Sequence, residues 1–560
     1  MTDLVLPPGI ILILAGLALP FVRHTARQIL MIAAPLMVLI AIWALPDGTL
    51  ATLDYLGLTL EPVKVDALSR LFATVFAIMG FAGGLFALNQ TNARELAAAF
   101  VYAGSAIGVT LAGDLVTVFI FWEVMAIAST IVVWSGGPGA RGSGLRYAAI
   151  HFLGGVFLMA GIAGVVAETG STAFGPMQAT SFPTILILVA FLINAGAPPL
   201  AAWLPDAYPR ASWSGTVFLS AFTTKTAVYT LIRGYPGEEI LIWIGLWMVF
   251  YGIVYAILEN DMRRILAYSI VNQVGFMVCA VGIGTPLALN GAAGHAFAHI
   301  IYKALLLMSA GSVLYMTGKS KCTDLGGLFR TMPVSCVCGI VGALAISAFP
   351  LTSGFVAKSM ISDAAGAEKM VVVYFLLAVA SAGVFLHAGI KFPWFVFFQK
   401  DSGLRPQDPP WNMQAAMIFC AVLCIGLGVW YSPFYAILPY PVEYVPYDAS
   451  HVIFYLQLLL FSGLAFFLML GALKRTLTIT LDIDWFWRRG GRAIAEEFEF
   501  QWLRAYGVIV EGFWRKLRLV IEGLYVNYGP DGPWSRTRPS GAVALWVSVL
   551  LSGFLLFSYL

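Results

Sequence analysis

Apolar runs of about 20 residues, long enough to cross a bilayer as a helix, recur from one end of this chain to the other. Separating them by their intervening polar and turn residues gives about sixteen spans, centred near residues 13, 37, 76, 104, 124, 156, 194, 222, 248, 273, 303, 347, 383, 422, 462 and 550. The pattern predicts an all-α polytopic membrane protein. The first run, LVLPPGIILILAGLALPFV, lacks a basic leader and a small-residue cleavage site and reads as a retained helix.

Loop charge orients these spans, because basic residues collect on the cytoplasmic side. Arg23 and Arg27, Arg94, Arg141 and Arg146, Arg210, Arg263 and Arg264, Lys319, Lys321 and Arg330, and Lys400 with Arg405 all fall in odd-numbered loops. The even-numbered loops hold Asp47, Asp54, Glu61, Glu168, Glu238, Glu239, Asp363 and Glu368. Both termini are therefore expected on the outer side of a cell inner membrane.

Two spans contain prolines at matching depths, in INAGAPPLAAWLPDAYPR (193–210) and ISAFPLTSGFVAKSM (346–360). Proline removes a helical hydrogen bond, and membranes tolerate this where the opened backbone is buried or lines a polar cavity. A pair of interrupted helices in two halves points to an inverted-repeat transporter, although the shared Pro-Leu is too short to prove a repeat. Residues 484 to 529, beginning DWFWRRGGR, mix charges with Trp, Tyr and Phe and suit a helix on the cytoplasmic membrane surface or along a neighbouring subunit. Gly490, Gly491, Gly507 and Gly512 argue against one unbroken rod there.

Composition agrees with the periodicity. Of 560 residues, 60% are hydrophobic and 11% charged, and no polar stretch is long enough for a separate soluble domain of typical size. The net charge of +3 is spread over loops and suggests no nucleic-acid partner. The six cysteines lie in or beside apolar segments, without spacing that would hold zinc or an iron–sulfur cluster, and read as packing residues. No cofactor or metal is expected.

Against this background, ionisable residues inside spans stand out, since each costs about 2.5–3.5 kcal/mol at a helix centre on insertion scales. Glu123 lies in GDLVTVFIFWEVMAIAST, Lys225 in LSAFTTKTAVYTLIRG, Lys303 in the eleventh span, and Lys358 just after the break at Pro350 and Gly354. Desolvation disfavours the charged form of either group and a nearby opposite charge restores it, so such residues suit proton exchange. The bland alternative is static ion pairing between helices. In GHAFAHIIYKALLLMSAG, His295, His299 and Lys303 are four apart and form a line on one helical face. Waters between such groups would make a proton wire. GGPGARGSG (136–144) lacks the ending of a phosphate loop and reads as a connection. Asn272 and Gln273 are expected to make interhelical hydrogen bonds.

GDLVTVFIFWEVMAIAS, WLPDAY, TKTAVYTLIRG, DMRRILAYS, HAFAHIIYKALLLMSAG and SGFVAK, in that order, resemble the antiporter-like subunits shared by respiratory complex I (NADH:quinone oxidoreductase) and multisubunit Mrp-type sodium/proton antiporters. The likeness runs over roughly residues 60–475 and is nearest to the Mrp D type, to which LPYPVEYVPYDASHV (438–452) and LDIDWFWR add a D-type flavour. It implies a fourteen-helix core with two inverted five-helix repeats, broken helices seven and twelve, and two extra spans. The corresponding division is 1–95, first repeat 96–235, second repeat 236–398, helices fourteen and fifteen in 399–475, a cytoplasmic-side amphipathic segment 476–538 and a last span 539–560. The resemblance further implies that Glu123 tunes a neighbouring lysine, that His295, His299 and Lys303 form a central relay, and that Lys358 is the exit-side group. Lys225 matches a lysine found on the eighth helix of some members. One position departs: the lysine usual on the broken seventh helix reads Asn194 here. Either Lys225 takes over as Glu123's partner or the first half-channel is altered or silent.

The expected function is a proton-translocating subunit of a larger membrane complex, foremost a sodium or other cation/proton antiporter. The alternatives are a pump module of a redox-driven complex of the NADH:quinone oxidoreductase or membrane-bound hydrogenase type, a non-pumping structural or coupling subunit, and a proton-coupled partner for uptake of another solute such as inorganic carbon. The partners implied are other membrane subunits, protons, sodium and the lipid bilayer.

Overall fold

The computed structural model describes residues 5–473 and 481–559. The expected boundary at 475/476 lies outside the described residues. The chain divides into two units, Met1–Ile483 and Asp484–Leu560.

The first unit opens with α1 (Gly9–Ala18) and α2 (His24–Ala44). A β-hairpin follows, β1 (Gly48–Tyr55) and β2 (Leu58–Val65), a small addition to the expected helical membrane fold. GTLATLDYLGLTLEPVKV has the alternation of a hairpin around a two-residue turn, and Leu56 and Gly57 both take positive φ, 53° and 78°, as such turns require. After α3 (Ala67–Phe86) and α4 (Ala93–Leu111) comes α5 (Leu115–Trp134), and the hairpin ties down its start. Asp114 caps α5 by accepting from the Thr117 N–H at 2.8 Å while its other oxygen accepts from the Glu61 N–H at 2.8 Å.

The next helices are α6 (Arg141–Thr169), α7 (Phe182–Ala195) and α8 (Trp203–Ala207). The gap between α7 and α8 is the first proline-bearing break. Gly196 ends α7 in the left-handed conformation, and the Trp203 indole N–H covers the Ile193 carbonyl at 3.0 Å. A second break separates α9 (Gly215–Ala221) from α10 (Thr223–Gly234) at Phe222, where no proline or glycine announces it. Beyond α11 (Ile240–Leu258), α12 (Met262–Ile283) and α13 (Pro286–Thr317), the second proline break separates α14 (Pro333–Ile346) from α15 (Ser353–Ala367). There a Cβ on Gly354 would fall 1.8 Å from the Ala345 carbonyl oxygen, so only glycine lets α15 start against the end of α14.

The helix α16 (Val371–Val384) runs on into π-helical turns at Phe385–Lys391 and Trp394–Phe398, a widening that sequence periodicity did not signal. The unit closes with α17 (Trp411–Val429), the short α18 (Tyr431–Tyr435) and α19 (Ala449–Leu468). In the second unit α20 (Arg492–Tyr528) is followed by α21 (Ser540–Tyr559). Contrary to expectation, α20 runs unbroken through Gly507 and Gly512. An exposed helix tolerates isolated glycines at about 1 kcal/mol each, and pairs such as Arg492 with Glu496 at 2.7 Å support its first turns.

Eleven helices among the described residues are long and apolar enough to cross a membrane. The remaining expected spans are occupied by α1, α4 and the interrupted pairs α7–α8, α9–α10 and α14–α15. The most enclosed spanning helices are α12 and α13. α12 packs on α11 backbone to backbone: a Cβ on Gly245 would meet the Gly275 carbonyl oxygen at 2.5 Å, and one on Gly252 the Tyr268 carbonyl oxygen at 2.6 Å. Such small-residue contacts bring membrane helices together by dispersion rather than by hydrophobic exclusion.

This contact is sensitive to volume. Gly245→Leu is expected to destabilise the protein by about 1–3 kcal/mol or more through overpacking, read as an earlier thermal transition of detergent-purified protein. Gly426→Ala, where a Cβ meets nothing within 4 Å, should leave the transition in place.

Candidate functional site

The break at Phe222 leaves the Ser220 carbonyl without a helical partner, and the first turn of α10 places Lys225 over it. The fully buried Lys225 ammonium donates to the Ser220 oxygen at 2.6 Å and to the Thr224 hydroxyl at 3.0 Å.

From there the polar path continues on α13. His295, His299 and Lys303 are all fully buried on that helix, and the wall they face is α12. Lys303 donates to Ser269 Oγ at 2.9 Å. His295 Nε2 lies 3.1 Å from Gln273 Oε1, which also accepts from the Tyr302 hydroxyl at 3.2 Å. Neither ring nitrogen of His299 has a hydrogen-bond partner in the protein, and its ring forms a triangle with those of Tyr302 and His295, at 5.2 and 6.2 Å between centroids. Lys358 on α15 makes no hydrogen bond to the protein and sets its ammonium 4.2 Å from the centroid of Phe276. Ser269, Gln273 and Phe276 are spaced four and three apart, so one face of α12 serves Lys303, His295 and Lys358 in turn. Asn272 makes the expected interhelical bond, to the Val249 carbonyl at 2.9 Å, whereas Gln273 belongs to this path.

Glu123 stands apart. It is half-buried on α5 and packs on α6, where a Cβ on Gly155 would fall 2.0 Å from its Oε1. That oxygen has no hydrogen-bond partner in the protein. The structure does not pair Glu123 with Lys225, and among the described residues none of Glu123, Lys225, Lys303 and Lys358 takes part in an ion pair. Static pairing is thus not what holds these charges.

Four further polar groups that the sequence reading passes over, His151, Tyr147, His387 and Lys391, are buried in the same unit. His151 on α6 is buried, with Nδ1 2.7 Å from Asn194 Oδ1 and Nε2 unpartnered. Its ring lies 4.0 Å from that of Tyr147, whose hydroxyl donates to Ser129 at 2.9 Å and lies 3.4 Å from Thr223 Oγ1 at the start of α10. His387, on the π-helical turn, is buried with Nε2 unpartnered, within electrostatic reach of Lys303, Lys358 and Lys391. Lys391 donates to the carbonyls of Ala256, Ile257 and Glu259 and so closes the C-terminal end of α11. Each histidine is alone in its own apolar segment, so spacing carries no signal. A signal was available only in their scarcity, six in the whole chain.

Chemically, the site is a succession of buried bases and hydroxyls joined by hydrogen bonds and aromatic faces, with no carboxylate locking any ammonium. Among the described residues no group of three or more His, Cys, Asp and Glu could hold a metal ion. Buried bases and hydroxyls of this kind are groups that can bind and release protons.

Known proteins share this arrangement of helices. Residues 112–385 match the family described as NADH:quinone oxidoreductase/Mrp antiporter, TM. The D-type component of a Na(+)/H(+) antiporter of Alkalihalophilus pseudofirmus is 30% identical over 418 residues, covering 68% of this chain and 84% of that protein. The A/B-type component of a probable K(+)/H(+) antiporter of Rhizobium meliloti is 27% identical over 399 residues, covering 66% of this chain, which spans only 40% of that longer relative. In the solved Mrp complex from a Dietzia species, one chain superposes with a TM-score of 0.76 at 21% identity over 95% of this chain and 63% of its own length, a likeness of fold.

The Gln273 node is the most exposed to substitution. Gln273→Leu leaves the buried His295 and Tyr302 donors without an acceptor, at about 1–3 kcal/mol each, so thermal stability of the purified protein is expected to fall while Gln273→Glu retains most of it.

Proposed function

The chain belongs to the NADH:quinone oxidoreductase/Mrp antiporter family, and from that premise we propose that it is the proton-translocating subunit of a multisubunit cation/proton antiporter. Protons pass through waters along Lys225, His299, Lys303, His295 and Lys358, with Glu123 on the first-half side. The observation that carries this reading is the run of fully buried titratable groups from α10 to α15 that have no ion-pair partner. A charge held inside a membrane body without a counter-charge costs several kcal/mol for no packing gain, so its retention speaks for transport. The division into repeats, 96–235 and 236–398, is supported by interruptions falling in both, at α7–α8 and α14–α15. Basic odd-numbered loops face the cytoplasm in this reading, and both termini lie outside.

The driving force is supplied by partner membrane subunits or by an ion gradient. The same relay serves a redox-driven assembly equally well, with a partner providing the redox step. A second reading, a structural or coupling subunit whose first half does not conduct, is favoured by Asn194 and by the partnerless Glu123.

In the assembled complex in membrane vesicles, Lys303→Ala is expected to abolish proton movement followed with a pH-sensitive dye; normal movement with normal assembly would overturn the relay. Glu123→Gln and Lys225→Ala separate the two readings. Loss of flux in both supports a conducting first half, and wild-type flux in both makes this chain a scaffold there.

A further inference from the structure

The D-type stretch LPYPVEYVPYDASHV has no role in the relay as described, yet the structure builds a second polar cluster from it. The cluster joins the segment between α18 and α19, the first turn of α19 and the outer half of α15. The Tyr444 hydroxyl donates to Ser359 Oγ on α15 at 2.9 Å. His451 Nδ1 lies 3.1 Å from the Tyr444 oxygen and 3.3 Å from the Pro446 carbonyl oxygen. His451 Nε2 lies 3.3 Å from Asp363 Oδ1 on α15. The His451 side chain is 14% exposed and that of Asp363 32%, so the cluster reaches the rim of the membrane body. Tyr444 and Glu443 also line a cavity of about 600 Å³ bounded by residues 431–445.

These contacts define the protonation of His451. A carbonyl oxygen only accepts, so Nδ1, facing Pro446, carries a hydrogen; a carboxylate also accepts, so Nε2, facing Asp363, carries another. Tyr444, having given its own hydrogen to Ser359, accepts from the same Nδ1. The ring satisfies all its neighbours only as the imidazolium. The other titratable groups that face it are Asp448, which caps α19, and Tyr455 one turn on. Ser359 is next to Lys358 in α15, whose ammonium has no hydrogen bond to the protein. The cluster therefore starts one residue along α15 from the last lysine of the relay, about 100° round the helix, so that water must bridge the two, and it ends at partly exposed groups on the side of the loops before α16 and α19.

We propose that Tyr444, His451 and Asp363 form a proton port linking Lys358 to water on that face, a role that rests on the relay reading above. In the outward step, a proton arriving through water binds Ser359 Oγ, Ser359 turns the hydrogen it gives to the Phe355 carbonyl over to Tyr444, and the Tyr444 hydroxyl proton is taken at Nδ1 of the neutral ring. The Nε2 proton then leaves to the Asp363 carboxylate and from there to water. The ring carries one positive charge between the two events, and the neutral ring resets when water takes the Nδ1 hydrogen and returns one to Nε2. Histidine suits this station because its charge changes within the range of physiological pH.

The test uses the full chain in its assembled complex in membrane vesicles, with proton flux followed as the pH of the α19-loop side is varied. His451→Gln is expected to lower flux by at least about tenfold, in line with the loss of a positioned proton-transfer group, and to flatten its dependence on pH near neutrality. Tyr444→Phe keeps the Asp363–His451 pair and is expected to lower flux severalfold with the pH dependence displaced. A purely structural role for the cluster would leave the pH profile of assembled variants unchanged, and that result overturns the port. If His451→Gln does not assemble, Tyr444→Phe decides alone, a wild-type rate and profile overturning the proposal. Lys303→Ala serves as the control: if it transports normally the relay itself falls, whereas an inactive Lys303→Ala beside fully active His451 and Tyr444 variants removes only the port.

Discussion

An ammonium group buried among apolar helices is stabilised by polar atoms, and the backbone of an intact helix offers it none, because every carbonyl in its middle is already taken. This constraint organises the protein. Where α9 gives way to α10, the Ser220 carbonyl comes free and the ammonium of Lys225 occupies it at 2.6 Å. Where α11 ends, its last carbonyls receive Lys391. Where α7 ends, the Ile193 carbonyl accepts from both the Gly196 N–H and the Trp203 indole, and the adjacent Asn194 is left to hold His151. The interruptions are thus the means by which charge is carried into the membrane body, and each of these polar stations sits at or beside one.

The stations that lack a carbonyl depend on helix packing instead. α12 presents Ser269, Gln273 and Phe276 to α13 and α15 while the adjoining face, one residue round the helix, is packed without side chains between backbones, through Gly245, Gly252 and Gly275. On the first-half side, Gly155 makes room for the carboxylate of Glu123 directly over the backbone of α6. Close packing and the polar path are one design: small residues close one face of a helix while the face beside it carries the polar groups.

How much of this is legible in the sequence follows from which signals are local. Four-residue spacing reveals the His295, His299 and Lys303 line, since helical geometry relates those positions directly. Pro198, Pro199 and Pro350 reveal two breaks, because proline cannot complete the helical ladder. The break at Phe222 has no such residue and arises from tertiary packing, as do the π-helical turns after Val384 that carry His387. The hairpin at 48–65 has an alternating pattern, but its apolar residues merge with the flanking spans in a count based on hydropathy. His151 and His451 are joined to Asn194 and Asp363, partners 43 and 88 residues away in sequence. A side chain whose meaning lies in a distant helix cannot be read from its own segment.

The same distinction bears on the first half of the molecule. Read along the chain, Asn194 is a lysine lost, and Lys225 is the natural substitute for it as partner to Glu123. In three dimensions Lys225 turns instead toward α13, close enough to His299 and Lys303 for its charge to act on both. What stands at Asn194 is an imidazole: His151 Nδ1 lies 2.7 Å from the amide oxygen, and Nε2 has no hydrogen-bond partner in the protein. An imidazole can stay neutral inside the protein and then needs no counter-charge. An asparagine-held histidine is in keeping with the absence of any ion pair at Glu123, and it sets a buried titratable group on α6 beside the broken helix α7.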